Sequence, residues 1–139
     1  MVVKIETSAW DEIRKHAEEG YPNEVCGVLV GRNGHVSAAR RCRNINTERA
    51  RDRYELDPLS FLEADTWARR NGMEIVGIYH SHPDHPSRPS ETDLRRAWQG
   101  WVYVIVSING GRYNDVRAWV LEEDGSRFEE IELEFSNQT

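Results

Sequence analysis

Two histidines and one aspartate near the middle of the chain have the types and spacing of metal ligands. His80 and His82 are separated by one residue, and ten further residues separate His82 from Asp93. Two imidazoles and one carboxylate can hold a metal ion while one coordination position stays open to water. An open position is typical of a catalytic metal rather than a purely structural one.

The residues before and after the histidines predict a strand followed by a stiff loop. Residues 74–80 form a short apolar run with β-branched side chains, which predicts a buried strand ending at His80. Side chains two apart on a strand point to the same face, so both imidazoles can approach one ion. Three prolines then prevent a helix or a paired strand until the next element begins: Pro83, Pro86 and Pro89.

A helix is predicted to begin at Ser90, with Asp93 held in its first turn. The apolar residues that follow at helical spacing are Leu94, Ala97 and Trp98. Ser-x-x-Asp by itself is also the pattern of a capping box, and a single histidine at a strand end is commonly a surface residue. The joint pattern favours a metal, with His85 as a non-ligating residue of the loop.

The ligand set leaves the metal open between Zn²⁺ and the Fe(II) of a non-haem oxygenase. Zinc needs only one further group, a carboxylate that takes a proton from the zinc-activated water, and this favours zinc. Glu24, which opens a predicted strand over residues 25–31, is a candidate for that carboxylate. Spacing alone does not connect Glu24 to His80, and an ordinary acidic residue at a strand edge is the alternative.

The remaining elements predict a single α/β domain over residues 1–139, with a mixed, mostly antiparallel sheet flanked by helices. Ser8 is predicted to cap a helix that runs to about Glu19, and Asp57-Pro58 to start a second helix that ends at Gly72. Further strands are predicted at 101–108, at 116–121 and around 131–135.

Composition excludes some classes of protein. The net charge is −6 and the stretch 122–134 is strongly acidic, so a nucleic-acid partner fits poorly. We find no apolar run near the roughly 18 residues of a membrane span and no signal-peptide pattern at the start, so we expect a cytoplasmic protein with no membrane partner. Cys26 and Cys42 are expected to be buried thiols rather than a disulfide.

Six arginines lie close together in the sequence despite the acidic net charge. They are interpreted either as a solvated strand and loop or as a docking surface for an acidic protein partner. The six are Arg40, Arg41, Arg43, Arg49, Arg51 and Arg53.

The chain resembles the JAMM (MPN+, or Mov34/MPN/PAD-1) metalloprotease family. The resemblance rests on a set of residues that occur in the order of the family motif, without a departure at any position of that motif. They are Glu24, the run Cys26–Gly31, His80-Ser81-His82-Pro83, Ser90 and Asp93. The resemblance covers nearly the whole chain, to about Leu133.

The resemblance implies a fold similar to that of the cytidine deaminases and a role for each motif residue. His80, His82 and Asp93 would ligate Zn²⁺, Glu24 would be the general base, and Ser90 would donate a hydrogen bond to the oxyanion. Residues 79–93 and 53–58 are similar to a bacterial branch that acts on ubiquitin-like sulfur-carrier proteins. That branch hydrolyses the amide bond after the carrier's C-terminal Gly-Gly, and some members release cysteine.

Two other functions remain as alternatives at this point. One is a non-catalytic binding module for a ubiquitin-like partner, with a metal that only supports the structure. The other is a DNA-associated metal protein of the RadC-like type, although the loop after His82 differs from the one expected there. The oligomeric state and the leaving group are left open.

Overall fold

The structure is a computed structural model, and it describes residues 1–137. The last two residues of the predicted domain lie outside this range. Within it, the strands and helices follow one another as β1 (Val2–Glu6), α1 (Thr7–Gly20), β2 (Cys26–Arg32), β3 (His35–Cys42), α2 (Pro58–Arg70), β4 (Glu74–Pro83), α3 (Glu91–Arg96), β5 (Val102–Asn109), β6 (Arg112–Leu121) and β7 (Phe128–Ser136).

The strands close into a seven-stranded barrel, in the order β1-β3-β2-β4-β5-β6-β7. Four of the neighbouring pairs are antiparallel and three are parallel, as a mixed sheet requires. The predicted α/β domain with a mixed, mostly antiparallel sheet is present, but the sheet closes into a barrel, which the description of a sheet flanked by helices did not include. Strand β1 pairs with β3 on one side and with β7 on the other, so the short first strand joins the two ends of a twisted sheet and removes its edges.

Two apolar clusters explain why β2 is an unbroken apolar run. Leu29 faces the larger cluster, which fills the barrel and lies beneath α1. Val28 and Val30 face the opposite way, into a smaller cluster closed by Ala64 and Ala68 of α2. Because β2 is buried on both faces, alternation of polar and apolar residues is absent from its sequence.

The helices follow the sequence pattern with one correction at the start of α1. Ala9, Ile13 and Ala17 of α1 are buried, but the helix begins at Thr7 and Ser8 is not its cap. The chain passes directly from β1 into α1, which leaves no loop in which Ser8 could adopt a capping conformation. Helix α2 begins at Asp57-Pro58 as predicted, and the Asp57 side chain caps it by accepting a hydrogen bond from the Leu59 amide at 3.1 Å.

No helix within residues 1–137 is both long enough and apolar enough to cross a membrane. Cys26 and Cys42 are free thiols on adjacent strands, paired in register between β2 and β3. Burial raises the pKa of Cys42 to about 11 and that of Cys26 further still, so both thiols stay protonated at neutral pH. They therefore contribute to packing rather than to nucleophilic chemistry.

Candidate metal centre

The two histidines lie near the C-terminal end of β4, where this strand pairs with β5. His80 is in register with Cys26 of β2 and with Ile105 of β5. His82 is in register with Ser107 of β5, because β4 continues past the predicted end at His80 as far as Pro83. The two rings point to one face with centroids 5.0 Å apart, and both are buried. Pairing with β5 at both positions holds the two histidines at a fixed spacing.

The His82 ring is oriented by a hydrogen bond on each of its nitrogens. Nδ1 lies 2.8 Å from the Pro86 carbonyl oxygen, so Nδ1 carries a hydrogen and donates it. Nε2 faces Asp93 Oδ2 at 3.1 Å. Burial alone would lower the pKa of His82, but the hydrogen bond to Asp93 and the negative charge of Glu24 raise it. A hydrogen bond from Nδ1 to a backbone carbonyl is the usual way of presenting Nε2 to a metal.

Asp93 and Ser90 form the capping box of α3 and also face the histidines. The Ser90 hydroxyl oxygen accepts a hydrogen bond from the Asp93 amide at 3.0 Å, and Asp93 Oδ2 accepts one from the Ser90 amide at 2.9 Å. Asp93 Oδ1 lies 3.8 Å from His80 Nε2. Burial would raise the pKa of Asp93, but the charge of His80 and the hydrogen bonds from His82 and Ser90 hold that pKa well below its usual range. The carboxylate is therefore charged and can bind a cation.

The helix that carries Asp93 is shorter than the apolar spacing indicates. It ends at Arg96, Ala97 is its C-terminal cap residue, and Trp98 is 68% exposed. The spacing of Leu94, Ala97 and Trp98 therefore predicted a longer helix than the structure contains.

Glu24 is brought to the same place from a distant part of the chain. Its carboxylate is buried, and Oε1 lies 3.5 Å from His80 Nδ1. The backbone on either side is tied to the loop after β3, because the Glu24 amide donates to the Ala50 carbonyl at 2.6 Å and its carbonyl accepts from the Asn44 side chain at 3.1 Å. These bonds hold a short irregular segment just before β2 against the histidine pair.

A bound cation would satisfy several buried nitrogen and oxygen atoms at this site. Glu24 Oε1 and both ring nitrogens of His80 are buried without a hydrogen-bond partner among the described residues. Ligand atoms of Glu24, His80 and His82 lie within 4.8 Å of one another. Buried polar atoms without partners are rare in folded proteins, and a cluster of them around one volume indicates a binding site for an ion. The donor set of two imidazoles and carboxylates fits zinc or another divalent metal.

The compact group differs in one member from the predicted ligands. Sequence analysis assigned Asp93 to the metal and Glu24 to the base, whereas the three mutually close residues include Glu24. Asp93 lies within 3.1–3.8 Å of the Nε2 atoms of the two histidines, so all four side chains surround one volume. The assignment of each carboxylate to ligand or base remains a prediction.

Sequence analysis missed two groups of residues that hold the site together. Tyr54 stacks on the His80 ring with centroids 4.4 Å apart, and Arg96 donates to the Tyr54 carbonyl at 3.0 Å. Burial raises the pKa of Tyr54 well above its usual value, and the charge of Asp93 raises it further. Tyr54 is half-buried and lies in an irregular loop, where no periodicity points to a residue that packs on the site.

The second missed group anchors the proline-rich loop. The Ser87 hydroxyl donates to Asp115 on β6, and the indole N–H of Trp119 donates to the Ser87 carbonyl at 3.0 Å. The Ser107 hydroxyl donates to the His85 carbonyl at 2.6 Å. These bonds fix the loop on both sides of Pro86, whose carbonyl orients His82. Their partners come from later strands, so sequence spacing gives no sign of them.

The arginine cluster does not form one surface. Arg40 and Arg41 lie on opposite faces of β3, with Arg40 over the Trp67 ring at 4.6 Å and Arg41 paired with Glu12 and Glu19 of α1. Arg49 pairs with Asp52 in the loop that follows. Alternation along β3 therefore divides the run that the sequence presents as continuous.

The fold and the site together define the class of protein to which the chain belongs. A closed α/β barrel presents two buried histidines, an aspartate and an unpaired glutamate around one volume, as a metal-dependent hydrolase requires. The model of a protein family described as prokaryotic homologs of the JAB domain matches residues 6–122. The chain belongs to this family, and the predicted resemblance to JAMM/MPN proteins is confirmed.

Curated relatives are similar over most of the chain. A desampylase of Haloferax volcanii is 40% identical, over 94% of this chain and 94% of that protein. A CysO-cysteine peptidase of Mycobacterium tuberculosis is 35% identical, over 83% of this chain and 79% of that protein.

Solved structures share the fold. A protein from Desulfitobacterium hafniense superposes with a TM-score of 0.85 and 28% identity, over 99% of this chain and 94% of that chain. A JAB1/MPN domain protein from Archaeoglobus fulgidus superposes with a TM-score of 0.58 and 25% identity, over 96% of each chain. The fold is therefore that of a JAB/MPN domain with a closed sheet.

Proposed function

We propose that the protein is a zinc-dependent peptidase that hydrolyses the amide bond after the C-terminal Gly-Gly of a ubiquitin-like sulfur carrier. The observation that carries the chemistry is the buried, unpaired Glu24 carboxylate beside the His80–His82 pair. The substrate class is supported by the resemblance to the bacterial branch described above and by the relatives, which are named desampylase and CysO-cysteine peptidase.

His80, His82 and Asp93 would hold the zinc ion. When bound, zinc supplies a Lewis acid for the scissile carbonyl and lowers the pKa of water to about 7. Asp93 is kept charged by its neighbours, and His82 is kept with Nε2 toward Asp93 by the Pro86 carbonyl. The chain therefore presents a charged carboxylate and, opposite it, the Nε2 side of the His82 ring.

Glu24 is the proposed general base. Its Oε1 has no hydrogen-bond partner among residues 1–137, so it can take a proton from the attacking water and return it to the leaving amine. Burial excludes bulk water from that carboxylate, which lets the proton pass to the amine instead of to solvent.

Ser90 is the proposed oxyanion donor. Its oxygen already accepts the amide hydrogen of Asp93, which leaves the hydroxyl hydrogen free to donate to another group. Ser90 also lines the cavity that contains Glu24 and His82. A donor held on a helix cap does not need to move when charge develops on the carbonyl oxygen.

We place the reaction in the cytoplasm, because the cysteines that face each other on β2 and β3 are both free.

A non-catalytic binding module is favoured by one observation. Glu24 belongs to the compact ligand group, so Glu24, His80, His82 and Asp93 could close a four-ligand structural zinc site. X-ray absorption of the zinc-loaded protein distinguishes the two sites, since a peptidase should show three protein ligands and one water.

The experiment that tests the proposal is the intact mass of a ubiquitin-like sulfur carrier extended past its Gly-Gly by a short peptide. We expect the zinc-loaded protein to reduce that mass to the value of a carrier ending at the second glycine. Glu24→Gln loaded with zinc should leave the mass unchanged over the same period. If several carriers stay intact with the wild-type protein, the proposed function is wrong.

A further inference from the structure

Glu24 lies in a short irregular segment just before β2, so the regular hydrogen bonds of a strand do not fix its backbone. Other hydrogen bonds take their place. The Glu24 amide donates to the Ala50 carbonyl at 2.6 Å. The peptide group between Glu24 and Val25 is held from both sides by side chains. Its carbonyl accepts from Asn44 Nδ2 at 3.1 Å, and its amide donates to Ser81 Oγ at 2.9 Å.

These bonds determine where the Glu24 side chain points. A peptide group is planar, so fixing the two peptide groups that flank the Glu24 Cα atom also fixes the direction of its Cα–Cβ bond. From this backbone the buried Oε1 reaches to 3.5 Å from His80 Nδ1. A general base must lie within hydrogen-bond reach of the proton that it takes. The proposed reaction therefore depends on the bonds that hold the Glu24 backbone.

The half-buried Asn44 carboxamide uses its full hydrogen-bonding capacity of two donated and two accepted bonds. Nδ2 donates to the Glu24 carbonyl and to the Arg53 carbonyl, both at 3.1 Å. Oδ1 accepts from the Asn46 amide and from the Glu55 amide, both at 3.0 Å. One side chain therefore joins the backbone of Glu24 to the loop that follows β3.

Two of the four bonds reach the neighbours of Tyr54 in the chain. Arg53 precedes Tyr54 and Glu55 follows it, so Asn44 holds the backbone on both sides of this residue. The Tyr54 ring stacks on the His80 ring with centroids 4.4 Å apart. The Asn44 carboxamide is therefore bonded both to the backbone of the proposed base and to the segment that packs on a proposed metal ligand.

We propose that Asn44 is a positioning residue for the hydrolysis, which acts through Glu24 by holding the backbone that aims its carboxylate. This role rests on the proposed function, in which Glu24 is the general base. The four bonds of the Asn44 side chain within residues 1–137 all go to backbone groups and none to a proposed metal ligand. Loss of the carboxamide should therefore slow the chemical step and leave zinc bound.

The test measures cleavage of a ubiquitin-like sulfur carrier extended past its Gly-Gly by a short peptide. Initial rates with zinc-loaded protein give kcat and KM, and competition with a chelator gives the dissociation constant for zinc. We expect Asn44→Ala to reduce kcat by about 10- to 100-fold, because a misplacement of about 1 Å can cost about that much. KM and the dissociation constant for zinc should stay at their wild-type values.

Asn46→Ala is the matched control in the same loop. Asn46 Oδ1 accepts from the Arg49 amide at 3.0 Å, which is a bond within the loop that does not involve the Glu24 backbone. We expect the kcat of Asn46→Ala to equal that of wild type.

Asn44→Asp tests the donated bonds separately. The carboxylate has nearly the same shape and still accepts the Asn46 and Glu55 amides, but it cannot donate to the Glu24 carbonyl. We expect the same loss of kcat as in Asn44→Ala, with a smaller decrease in thermal stability. Wild-type kcat in Asn44→Asp would overturn the proposed role.

A double variant shows whether Asn44 acts through Glu24. In Glu24→Gln the base is already absent, so adding Asn44→Ala should not reduce the residual rate further, as measured in single-turnover reactions over long incubations. A residue that only supports the fold, the zinc site or carrier binding would lower the rate by the same factor in both backgrounds.

The outcomes separate the two proposals. If wild type cleaves the carrier and Asn44→Ala retains as much activity as Asn46→Ala, Asn44 has no positioning role and the proposed function stands. The same conclusion follows if Asn44→Ala loses zinc, if neither Asn44 variant folds, or if the loss of rate is equal with and without Glu24. If wild type cleaves no carrier, the proposed function is wrong and the role of Asn44 is overturned with it.

Discussion

Single residues at the site are held in states that cost stability unless a ligand is present. Both nitrogens of His80 and Oε1 of Glu24 are buried without partners among residues 1–137. Each such group costs about 1–3 kcal/mol relative to its hydrated form, so the chain carries these costs for chemistry rather than for folding. Asp93 differs from these groups because its carboxylate also caps helix α3 and so stabilises the fold as well as facing the site.

Replacing Glu24 by Gln should separate catalysis from metal binding. The amide has nearly the same shape but cannot take a proton, so we expect zinc content to be retained and the rate to fall by about 10²–10⁴. Metal analysis of the purified variant, together with the carrier cleavage assay, gives both quantities. Full activity in Glu24→Gln would remove Glu24 from the mechanism.

Replacing Asp93 by Ala should instead remove the metal. His82 would lose the carboxylate 3.1 Å from its Nε2, and the site would keep only two of its three proposed ligands. We expect the dissociation constant for zinc to rise by at least about 100-fold, measured by competition with a chelator. Asp65→Ala, on α2, is a matched control with unchanged affinity. Wild-type affinity in Asp93→Ala would show that the ligand assignment is wrong.

At the scale of elements, the site depends on how a loop is attached to strands that follow it in the chain. The proline-rich loop carries no regular structure of its own between β4 and α3. Bonds from Ser87, Ser107 and Trp119 attach it to β5 and β6 and so position the Pro86 carbonyl. Loops anchored in this way can hold catalytic groups with the accuracy of the scaffold.

Removal of one anchor should therefore weaken the metal site without unfolding the protein. In Ser87→Ala the loop loses its hydrogen bond to Asp115, and His82 loses part of its orientation. We expect zinc affinity to fall about tenfold, in the range found for groups that support metal ligands, with an unchanged circular dichroism spectrum.

The control for Ser87→Ala is a serine with the same chemistry elsewhere. Ser126 donates to Asp124 at 2.7 Å in the turn between β6 and β7, and Ser126→Ala should leave zinc affinity unchanged. Equal affinity in both variants would mean that the loop holds its shape without the Ser87 bond.

At the scale of the whole molecule, α1 is joined to the barrel by a polar contact within an apolar interface. His16 Nδ1 lies 2.7 Å from the hydroxyl oxygen of Tyr79, a fully buried residue of β4. Burial lowers the pKa of His16 from 6.5 to about 4, and the charge of Arg41 contributes to the same shift. The helix is therefore docked through a neutral histidine at physiological pH.

This contact predicts a loss of stability in weak acid. Between about pH 6.5 and pH 4 the unfolded chain binds a proton at His16 that the folded chain does not, so the free energy of unfolding falls as the pH falls. We expect wild type to lose about 2 kcal/mol relative to His16→Gln by pH 4, after allowance for the partly exposed ring.

Urea unfolding of wild type and His16→Gln at several pH values measures this difference. Contributions from the other histidines cancel in the comparison, because the two proteins differ at one position. A difference that is the same at pH 7 and pH 4 would contradict the lowered pKa.

Local patterns in the sequence were sufficient for several features of the fold and site. The His80-x-His82 spacing, the Ser90–Asp93 capping box and the Asp57-Pro58 helix start each depend on neighbours a few residues away, and each has its predicted geometry. Propensity and side-chain periodicity act over this range, so the order of residues along the chain is enough to predict them.

Other features required contacts between distant parts of the chain. Closure of the barrel depends on the pairing of β1 with β7, and the alternation of a strand is the same in an open sheet as in a closed one. Motif resemblance marked Glu24 as a site residue, but only the pairing of β2 with β4 places it beside His80. The sequence by itself determined which residue types could do the chemistry, because type and local spacing are written along the chain. The tertiary structure decided how they meet, because strand pairing and loop anchoring join residues that no local pattern connects.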